Sequence, residues 1–147
     1  MYENYKLRPA EIGDCQRIYD IRNLPEIRRI SHNQDKINFN DHKNWFTAAL
    51  ASKSMRLLVF GDTQILGVLR YDLKLTEANI SLYIDPAYSK KGIGTLIYEW
   101  GEEWLKNECP SVKKMIAEIL KNNLNSQKFF TKMGFMSVAE GTWEKKI

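Results

Sequence analysis

Apolar and polar residues alternate in several segments of the chain, whereas elsewhere apolar residues recur every three or four positions. Alternation is typical of a strand with one buried face, and the longer period is typical of a helix. The strands are predicted at 5–9, 55–60, 65–73, 78–85 and 112–120, with a closing hairpin around Glu140 and Gly141. The first helix is predicted from Asp14 to a break at 23–25, and a short helix follows that break. Three more are predicted after a cap at Asn40, from about Ile93 to near Pro110, and from Ser126 to Met133 before Gly134.

The order of these elements predicts an α/β (α+β) fold with a mixed, mainly antiparallel sheet of about seven strands flanked by helices. The strands at 55–60, 65–73 and 78–85 follow one another with short turns, which favours antiparallel pairing. A long helix separates 78–85 from 112–120, so these two strands are expected to run parallel. Ligands of such sheets bind outside the carboxyl ends of parallel strands, where the loop 86–92 lies.

That loop opens the stretch YSKKGIGTLIYEW (88–100), in which two lysines precede a Gly-Ile-Gly step at the start of the long helix. A helix start presents unpaired N–H groups and a partial positive charge, so added lysines and glycines indicate an anion site. A dinucleotide fingerprint would need a third glycine where Ile97 stands, and no Gly-Lys-Ser/Thr motif of a Walker loop is present. A basic surface loop without a ligand is the alternative.

Composition narrows the choice of partners. The 147 residues are expected to form a single domain, 1–147, with 44% hydrophobic residues and a net charge of +4. The charge mildly favours anionic ligands but is too small and too dispersed to predict nucleic-acid binding. Two cysteines and two histidines give no metal-ligand spacing, and no apolar run is long enough to predict a membrane span. We therefore expect a cytoplasmic protein without a metal, a nucleic-acid partner or a membrane partner.

Three motifs in register carry a family resemblance. Ser89 to Gly94 reads S-K-K-G-I-G, a second segment over 117–135 contains an Asn-x-x-Ser followed by an aromatic residue and Gly-Phe, and RPAEIGDCQRIYDIRN opens the chain. Together they resemble the GNAT family of N-acetyltransferases from about residue 5 to residue 147. The match departs from the family signature at Ser89, where Arg or Gln is usual.

The resemblance implies acetyl-CoA as co-substrate and a sheet that splays between 78–85 and 112–120 to admit its pantetheine arm. Backbone amides of the glycine turn are then expected to hold the diphosphate, the strand at 78–85 to pair with the arm, and Ile84 N–H to lie near the thioester oxygen. The expected cofactor-binding residues are Leu82, Tyr83, Ile84, Lys90, Lys91, Gly92, Ile93, Gly94, Thr95, Asn123, Ser126, Phe130 and Lys132.

Acetyl transfer to an amine needs an unprotonated nucleophile, so a carboxylate near the line of attack is the expected base. Glu118 lies in the apolar strand MIAEIL, on the face shared by Ile116 and Leu120, beside the expected crevice. A carboxylate among such residues is unusual unless it is paired or functional, and several family members carry a Glu there. An ion pair with a surface lysine or an exposed edge position is the alternative, and Glu77 is the second candidate for the base.

The family often has a tyrosine as general acid for the departing thiolate, where this chain has Phe130. Its place is taken by water, Ser126, Tyr88 or Tyr98, or the coenzyme A thiolate leaves without an acid. Loss of this tyrosine and of the leading Arg or Gln leaves open a non-catalytic CoA-binding module.

The stretch IRNLPEIRRISHNQDKINFNDHKNWF (21–46) has an Arg-Asn pair after the first helix, arginines a turn later and a His-x-x-Trp. In these features it resembles GNAT members that acetylate the 4-amino group of nucleotide-linked deoxyamino sugars in bacterial nonulosonic acid synthesis. Related features occur in ribosomal-protein N-terminal acetyltransferases, so a protein N-terminus or a lysine is the alternative acceptor. A UDP-sugar brings a second diphosphate that basic residues can meet, and Tyr71 or Trp45 could stack on a ring. The expected substrate-binding residues are Arg22, Asn23, Arg29, His42 and Arg70.

Overall fold

A single seven-stranded sheet runs through the centre of the computed structural model, which describes residues 3–89 and 91–147. Its strand order is β1-β2-β3-β4-β5-β7-β6. Every neighbouring pair is antiparallel except β4 and β5, which are parallel, so the predicted mixed and mainly antiparallel sheet is confirmed. The strands are β1 (Lys6–Pro9), β2 (Met55–Gly61), β3 (Ile65–Lys74), β4 (Glu77–Ile84), β5 (Lys114–Glu118), β6 (Met136–Ala139) and β7 (Thr142–Lys146).

Five helices flank the sheet: α1 (Cys15–Arg22), α2 (Pro25–Arg29), α3 (Phe39–Ala51), α4 (Ile93–Glu108) and α5 (Leu124–Lys132). The expected cap at Asn40 is wrong by two residues, because the Asn38 side chain accepts the N–H groups of Asn40 (2.8 Å) and Asp41 (3.4 Å). Helix α5 likewise begins earlier than expected, since Asn123 caps it. Across the described ranges, none of the helices combines the length and apolarity needed to cross a membrane.

Helices cover both faces of the central strands, which explains why β2 and β3 are almost continuously apolar. One face carries Leu58, Phe60 and Leu69 against α4 and α5, and the other carries Val59 and Val68 against α1 and α3. Successive residues of one strand therefore enter two different cores. The alternation expected for β5 is confirmed as well, with Met115 and Ala117 buried on the α4 side.

The parallel pair β4 and β5 stays together for only three residues. Glu77, Ala78 and Asn79 pair with Lys114, Met115 and Ile116, and β4 then continues to Ile84 without β5 beside it. The strand expected at 112–120 is shorter because its last residues enter a turn, in which Asn123 N–H donates to Leu120 O (3.0 Å). The predicted splay between these strands is confirmed, and we call this gap the β4–β5 opening.

A polar cluster joins α4 to the last strand inside the molecule. The Lys145 ammonium lies 2.8 Å from Glu102 Oε1 and donates to the Tyr98 hydroxyl (3.1 Å), which in turn donates to Glu102 (2.8 Å). Burial alone would raise the pKa of Glu102, but hydrogen bonds from Lys145 and Tyr98 and the nearby Lys145 and Lys106 charges lower it below its ordinary value. The cluster therefore stabilises the ionised carboxylate in the folded chain.

Replacing Lys145 with Met should lower the free energy of unfolding by about 1–3 kcal/mol at pH 7, because it leaves the Glu102 carboxylate without its main partner. A carboxyl with a lowered folded pKa stabilises the fold above its unfolded value, and that contribution is lost as the pH falls through the folded value. The difference between wild type and variant should therefore shrink on acidification, measured by urea unfolding between about pH 7 and pH 3.

Lys106→Met is the matched control, since Lys106 lies 3.5 Å from the same carboxylate but its side chain is 52% exposed. We expect it to cost less than about 0.5 kcal/mol. Equal losses for the two lysine variants would contradict the assignment of the stabilisation to the buried partner.

Candidate active site

A cavity of about 380 Å³ lies at the β4–β5 opening, on the side of the sheet that α1 and α3 cover. Its walls come from β3, β4, β5, α5 and residues 31–37. Nine of the residues predicted from the sequence line it: Arg22, His42, Arg70, Leu82, Tyr83, Glu118, Asn123, Ser126 and Phe130. Sequence positions nearly a hundred residues apart thus meet in one cavity.

The backbone of β4 offers hydrogen-bonding groups to the opening. Asp85 N–H donates to Leu66 O of the preceding strand (2.8 Å), and the β3–β4 register is unbroken from Ile84 back to Glu77. Because alternate residues of a strand direct their polar groups to opposite sides, those of Leu82 and Ile84 point away from β3 and into the opening. An extended chain with amide groups, such as a pantetheine arm, fits this edge.

The turn that follows β4, residues 86–92, leads into α4, and we call it the cofactor turn. Gly92 caps the helix with φ of 78°, a left-handed conformation that favours glycine. A Cβ at Gly92 would meet no atom of residues 3–89 or of the rest of 91–147 within 4 Å, so these residues leave the space beside it open to a ligand. The amides of Ile93, Gly94 and Thr95 lie in the first helical turn, where no earlier carbonyl is available to them.

Residues around the cofactor turn have different roles. Gly94 allows close packing, since a Cβ there would lie 3.3 Å from Ile84 Cδ1 and 3.4 Å from the Phe129 ring. Lys91 is exposed, with its ammonium 5.7 Å from the centre of the Tyr88 ring. Lys90, which the resemblance places in this turn, lies outside the described residues.

The start of α5 forms one wall of the cavity. Asn123 caps this helix, and its side-chain oxygen accepts Ser126 N–H (3.2 Å). Phe130 is buried against Phe129 and Phe135 and gives the cavity an apolar side. Lys132 is exposed at the end of α5 and does not line the cavity.

Glu118, the last residue of β5, has an exposed side chain at the mouth of the cavity. It also lines a second cavity of about 520 Å³ beside the β6–β7 hairpin, so it stands where the two meet. Within residues 3–89 and 91–147 we find no side-chain hydrogen bond or ion pair of Glu118. Glu77, the other candidate for the base, begins β4 at the far end and lies 3.3 Å from the Lys114 ammonium. The geometry therefore favours Glu118 for chemistry at the opening.

Of the hydroxyl groups expected near the site, Ser126 lines the cavity and the two tyrosines do not. The Tyr88 hydroxyl lies 3.4 Å from Gln64 Oε1, and the Tyr98 hydroxyl bonds to Glu102 in the polar cluster; neither tyrosine lines the cavity. Ser126 and Tyr83 do line it. Burial raises the pKa of Tyr83, although the Arg22 and Arg70 charges oppose the shift, so its phenol stays protonated at neutral pH.

Two arginines bring positive charge to the cavity. Burial lowers the pKa of Arg22, whose Nη2 donates to Asn33 O (2.9 Å). Its Nη1 is buried, and no acceptor for it occurs in the described parts of the chain. The Arg70 guanidinium lies over the Trp45 ring at 5.4 Å, and Nη2 donates to Asp72 (3.0 Å), while its Nε lies 2.9 Å from the same carboxylate but is poorly aligned for a hydrogen bond.

His42 enters the cavity wall as a neutral ring. It is buried beside Tyr19 and Trp45, and its Nε2–H donates to Cys15 O (3.1 Å). Burial lowers its pKa from 6.5, although the hydrogen bond to Cys15 opposes that shift, so it brings no positive charge at neutral pH. Tyr71 is fully buried in the core and cannot stack on a ligand, whereas Trp45 lines the cavity.

Two predicted acceptor residues do not line the cavity. Arg29 is exposed on α2, where Ile27 takes the buried position. Asn23 instead binds the backbone of Ile37, donating to its carbonyl (3.0 Å) and accepting its N–H (2.9 Å). It thereby holds the segment 31–37, which forms a cavity wall and for which sequence periodicity gave no signal.

Among the described residues, no three histidine, cysteine, aspartate or glutamate side chains are grouped so that they could hold a metal ion. The donors at the opening are backbone amides and arginine side chains instead. Such donors fit an anionic ligand with an extended amide arm.

Comparison with known proteins identifies the family. Residues 15–135 match the model of the acetyltransferase (GNAT) family. None of the curated proteins searched matches the chain.

Solved structures share the fold at low identity. One is a Salmonella typhimurium protein solved with its cofactor acetyl-CoA, at 20% identity, TM-score 0.78, and coverage of 98% of this chain and 94% of that one. A Vibrio cholerae spermidine N-acetyltransferase with CoA and spermine has 14% identity and a TM-score of 0.80, and the match covers 97% of this chain and 93% of that one. An aminoglycoside acetyltransferase with coenzyme A and kanamycin has 17% identity and a TM-score of 0.79, and the match covers 97% of this chain and 94% of that one. The family match and the shared fold agree, and the chain belongs to the GNAT family of acetyltransferases, with acetyl-CoA as co-substrate.

Proposed function

We propose that this acetyltransferase acts on a primary amine whose molecule also carries an anion, and that the acceptor is a UDP-linked 4-amino deoxysugar. The observation that carries the proposal is the charge of the cavity. Among the described residues, its lining contains the arginines Arg22 and Arg70 and one carboxylate, Glu118. Arg70 is already paired with Asp72, whereas the buried Nη1 of Arg22 has no acceptor there. This balance favours an acceptor with negative charge.

Polycationic acceptors fit this cavity less well. Spermine and kanamycin, the ligands of two enzymes that share the fold, carry several amines and are cations at neutral pH. The buried guanidinium of Arg22 would repel such molecules, and Glu118 is the one carboxylate in the described lining that could attract them. The acceptor of this chain is therefore of a different charge class from those two ligands.

The arginines can meet a diphosphate from two sides. Arg22 Nη1 is a buried donor, and leaving it unpaired is unfavourable unless a ligand supplies an acceptor. Trp45 and Asp72 hold the Arg70 guanidinium in place before binding. Because Trp45 also lines the cavity, its ring can lie against a sugar or a base.

The reaction then takes place at the β4–β5 opening. Acetyl-CoA supplies the activated thioester. Glu118 accepts a proton from the acceptor amine, and Ile84 N–H stabilises the negative charge that develops on the thioester oxygen. Amides from Ile93 to Thr95 hold the diphosphate of acetyl-CoA, and Asn123 and Ser126 lie along its arm. Phe130, in place of a tyrosine, has no proton to donate, so the coenzyme A thiolate leaves as the anion and takes its proton from water.

Two other activities compete with this proposal. A protein N-terminus or a lysine would need backbone partners and an acid-lined mouth, and the described lining offers only Glu118. A non-catalytic CoA-binding module would bind acetyl-CoA but release no thiol.

The acceptor is tested by incubating the protein with acetyl-CoA and measuring thiol release with UDP-linked 4-amino-4,6-dideoxy sugars, a peptide panel, spermidine and kanamycin. We expect turnover of at least one nucleotide sugar. UDP should compete with that acceptor, and Arg22→Met should weaken the competition roughly tenfold, because it removes the buried donor. Turnover of peptides or polyamines alone would contradict the proposal, and binding of acetyl-CoA without turnover of any amine would favour the binding module.

The cofactor turn is tested with Gly92→Val. A side chain at this position enters the open space beside the turn and requires φ of 78°, so we expect acetyl-CoA to bind at least about tenfold more weakly, a loss of about 1.4 kcal/mol. Calorimetric titration measures the affinity. Gly141→Val, at φ of 79° in the β6–β7 hairpin, is the matched control for backbone strain, and it should leave acetyl-CoA affinity unchanged. Unchanged acetyl-CoA affinity in folded Gly92→Val would contradict the binding of the diphosphate at this turn.

The base is tested with Glu118→Gln, which keeps the shape of the side chain and removes its basic oxygen. If Glu118 abstracts the proton, single-turnover acetyl transfer should slow by roughly 10²–10⁴-fold near neutral pH, with acetyl-CoA binding nearly intact. Glu77→Gln is the control and should change the rate little, because Glu77 lies at the far end of β4. A loss under about threefold for Glu118→Gln would assign proton removal to a water chain instead.

A further inference from the structure

The cofactor turn is anchored by the carboxylate of Asp85, the residue just before it, and this carboxylate has two partners. Asp85 directly follows β4, and its Oδ1 accepts Ala87 N–H (3.0 Å) at the start of the turn. Its Oδ2 accepts a hydrogen bond from Arg17 Nη2 on α1 (2.7 Å). Both oxygens of the carboxylate thus fix the path by which the chain leaves β4.

Arg17 extends this anchor to a third element. Its Nε donates to Ile65 O at the start of β3 (3.0 Å), while Nη2 holds Asp85. The side chains of Arg17 and Asp85 are 26% and 13% exposed, so solvent screens their attraction only partly. One guanidinium therefore connects α1, the beginning of β3 and the end of β4.

We propose that the Arg17–Asp85 pair positions the cofactor turn and thereby sets the affinity for acetyl-CoA. One ligand must meet the amides of α4 and the edge of β4 at the same time, and residues 85–92 determine the angle between them. A turn held at this angle before binding loses less conformational entropy when the ligand arrives. Neither side chain lines the cavity, so both act through the turn rather than on the ligand.

This inference goes beyond the proposed acceptor. It rests on acetyl-CoA as the co-substrate and on the proposed binding of its diphosphate at the cofactor turn, and its test needs no acceptor. Failure to acetylate a nucleotide sugar would therefore leave it standing, and failure of the pair would leave the acceptor proposal standing.

The test is calorimetric titration of CoA and acetyl-CoA into Arg17→Met, Asp85→Asn and the double variant. Asparagine at 85 keeps an oxygen for Ala87 N–H but loses the charge that attracts Arg17. We expect each single variant to bind roughly three- to tenfold more weakly, and the double variant to bind no more weakly than the worse single one. Such non-additivity is expected when two residues act as one unit.

Two further variants separate positioning from general stability. Arg17→Lys keeps a positive charge near Asp85 and should bind CoA within about twofold of wild type. Arg8→Met breaks another arginine–aspartate pair, Arg8 with Asp14 (2.8 Å), which lies away from the turn, and it should leave CoA affinity unchanged. Thermal unfolding of all variants shows that each is folded at the titration temperature.

Three results would overturn the proposal. They are unchanged CoA affinity in folded Arg17→Met or Asp85→Asn, additive losses in the double variant, and an equal loss in Arg8→Met. If Arg17→Met does not fold, the comparison of Asp85→Asn with Arg17→Lys and Arg8→Met gives the same decision. Once an acceptor is known, kcat at saturating acetyl-CoA should match wild type while the KM for acetyl-CoA rises.

Discussion

The early end of pairing between β4 and β5 is the constraint on which the rest of the site depends. After Asn79 and Ile116 the two strands separate, so the backbone groups of Leu82 and Ile84 face an opening instead of a neighbouring strand. Backbone groups left without partners are unfavourable, which makes this edge receptive to a ligand that carries amides. The same separation gives Glu118 access to the opening and places the amides at the start of α4 at its end.

The buried charge of Arg22 determines which ligands the cavity favours. Arg22 is desolvated, which lowers its pKa, and one of its nitrogens is left without an acceptor in the described chain. An anion that enters the cavity both neutralises the guanidinium and supplies the missing hydrogen bond, so its binding gains more than at a solvated arginine. A polycation would be repelled by the same guanidinium and would offer it no hydrogen-bond acceptor. These charges are the basis on which we propose an anionic acceptor.

Local patterns predicted the strands and helices well, because alternation and helical spacing depend on neighbours in the sequence. These patterns failed where contacts between residues far apart in the sequence determine the local structure. Asn38 and Asn40 are equally suited as caps, and β5 stops before Leu120 because the chain turns there to Asn123. The segment 31–37 became a cavity wall through the Asn23 side chain, a contact that no periodicity reveals. The cofactor-binding residues were predicted through the resemblance and not from periodicity, and they remain a prediction. The neutral state of His42 depends on its burial, which the sequence did not reveal.

Helix α1 lies between the two halves of the site and contacts both. At its start, Cys15 O accepts His42 Nε2–H, and at its end Arg22 enters the acceptor cavity. Between them, Arg17 holds Asp85 at the cofactor turn. One helix of eight residues carries all three contacts. The amphipathic spacing that buries Ile18 and Ile21 therefore does more than complete a core, because it also holds Arg22 at the cavity and Arg17 at Asp85.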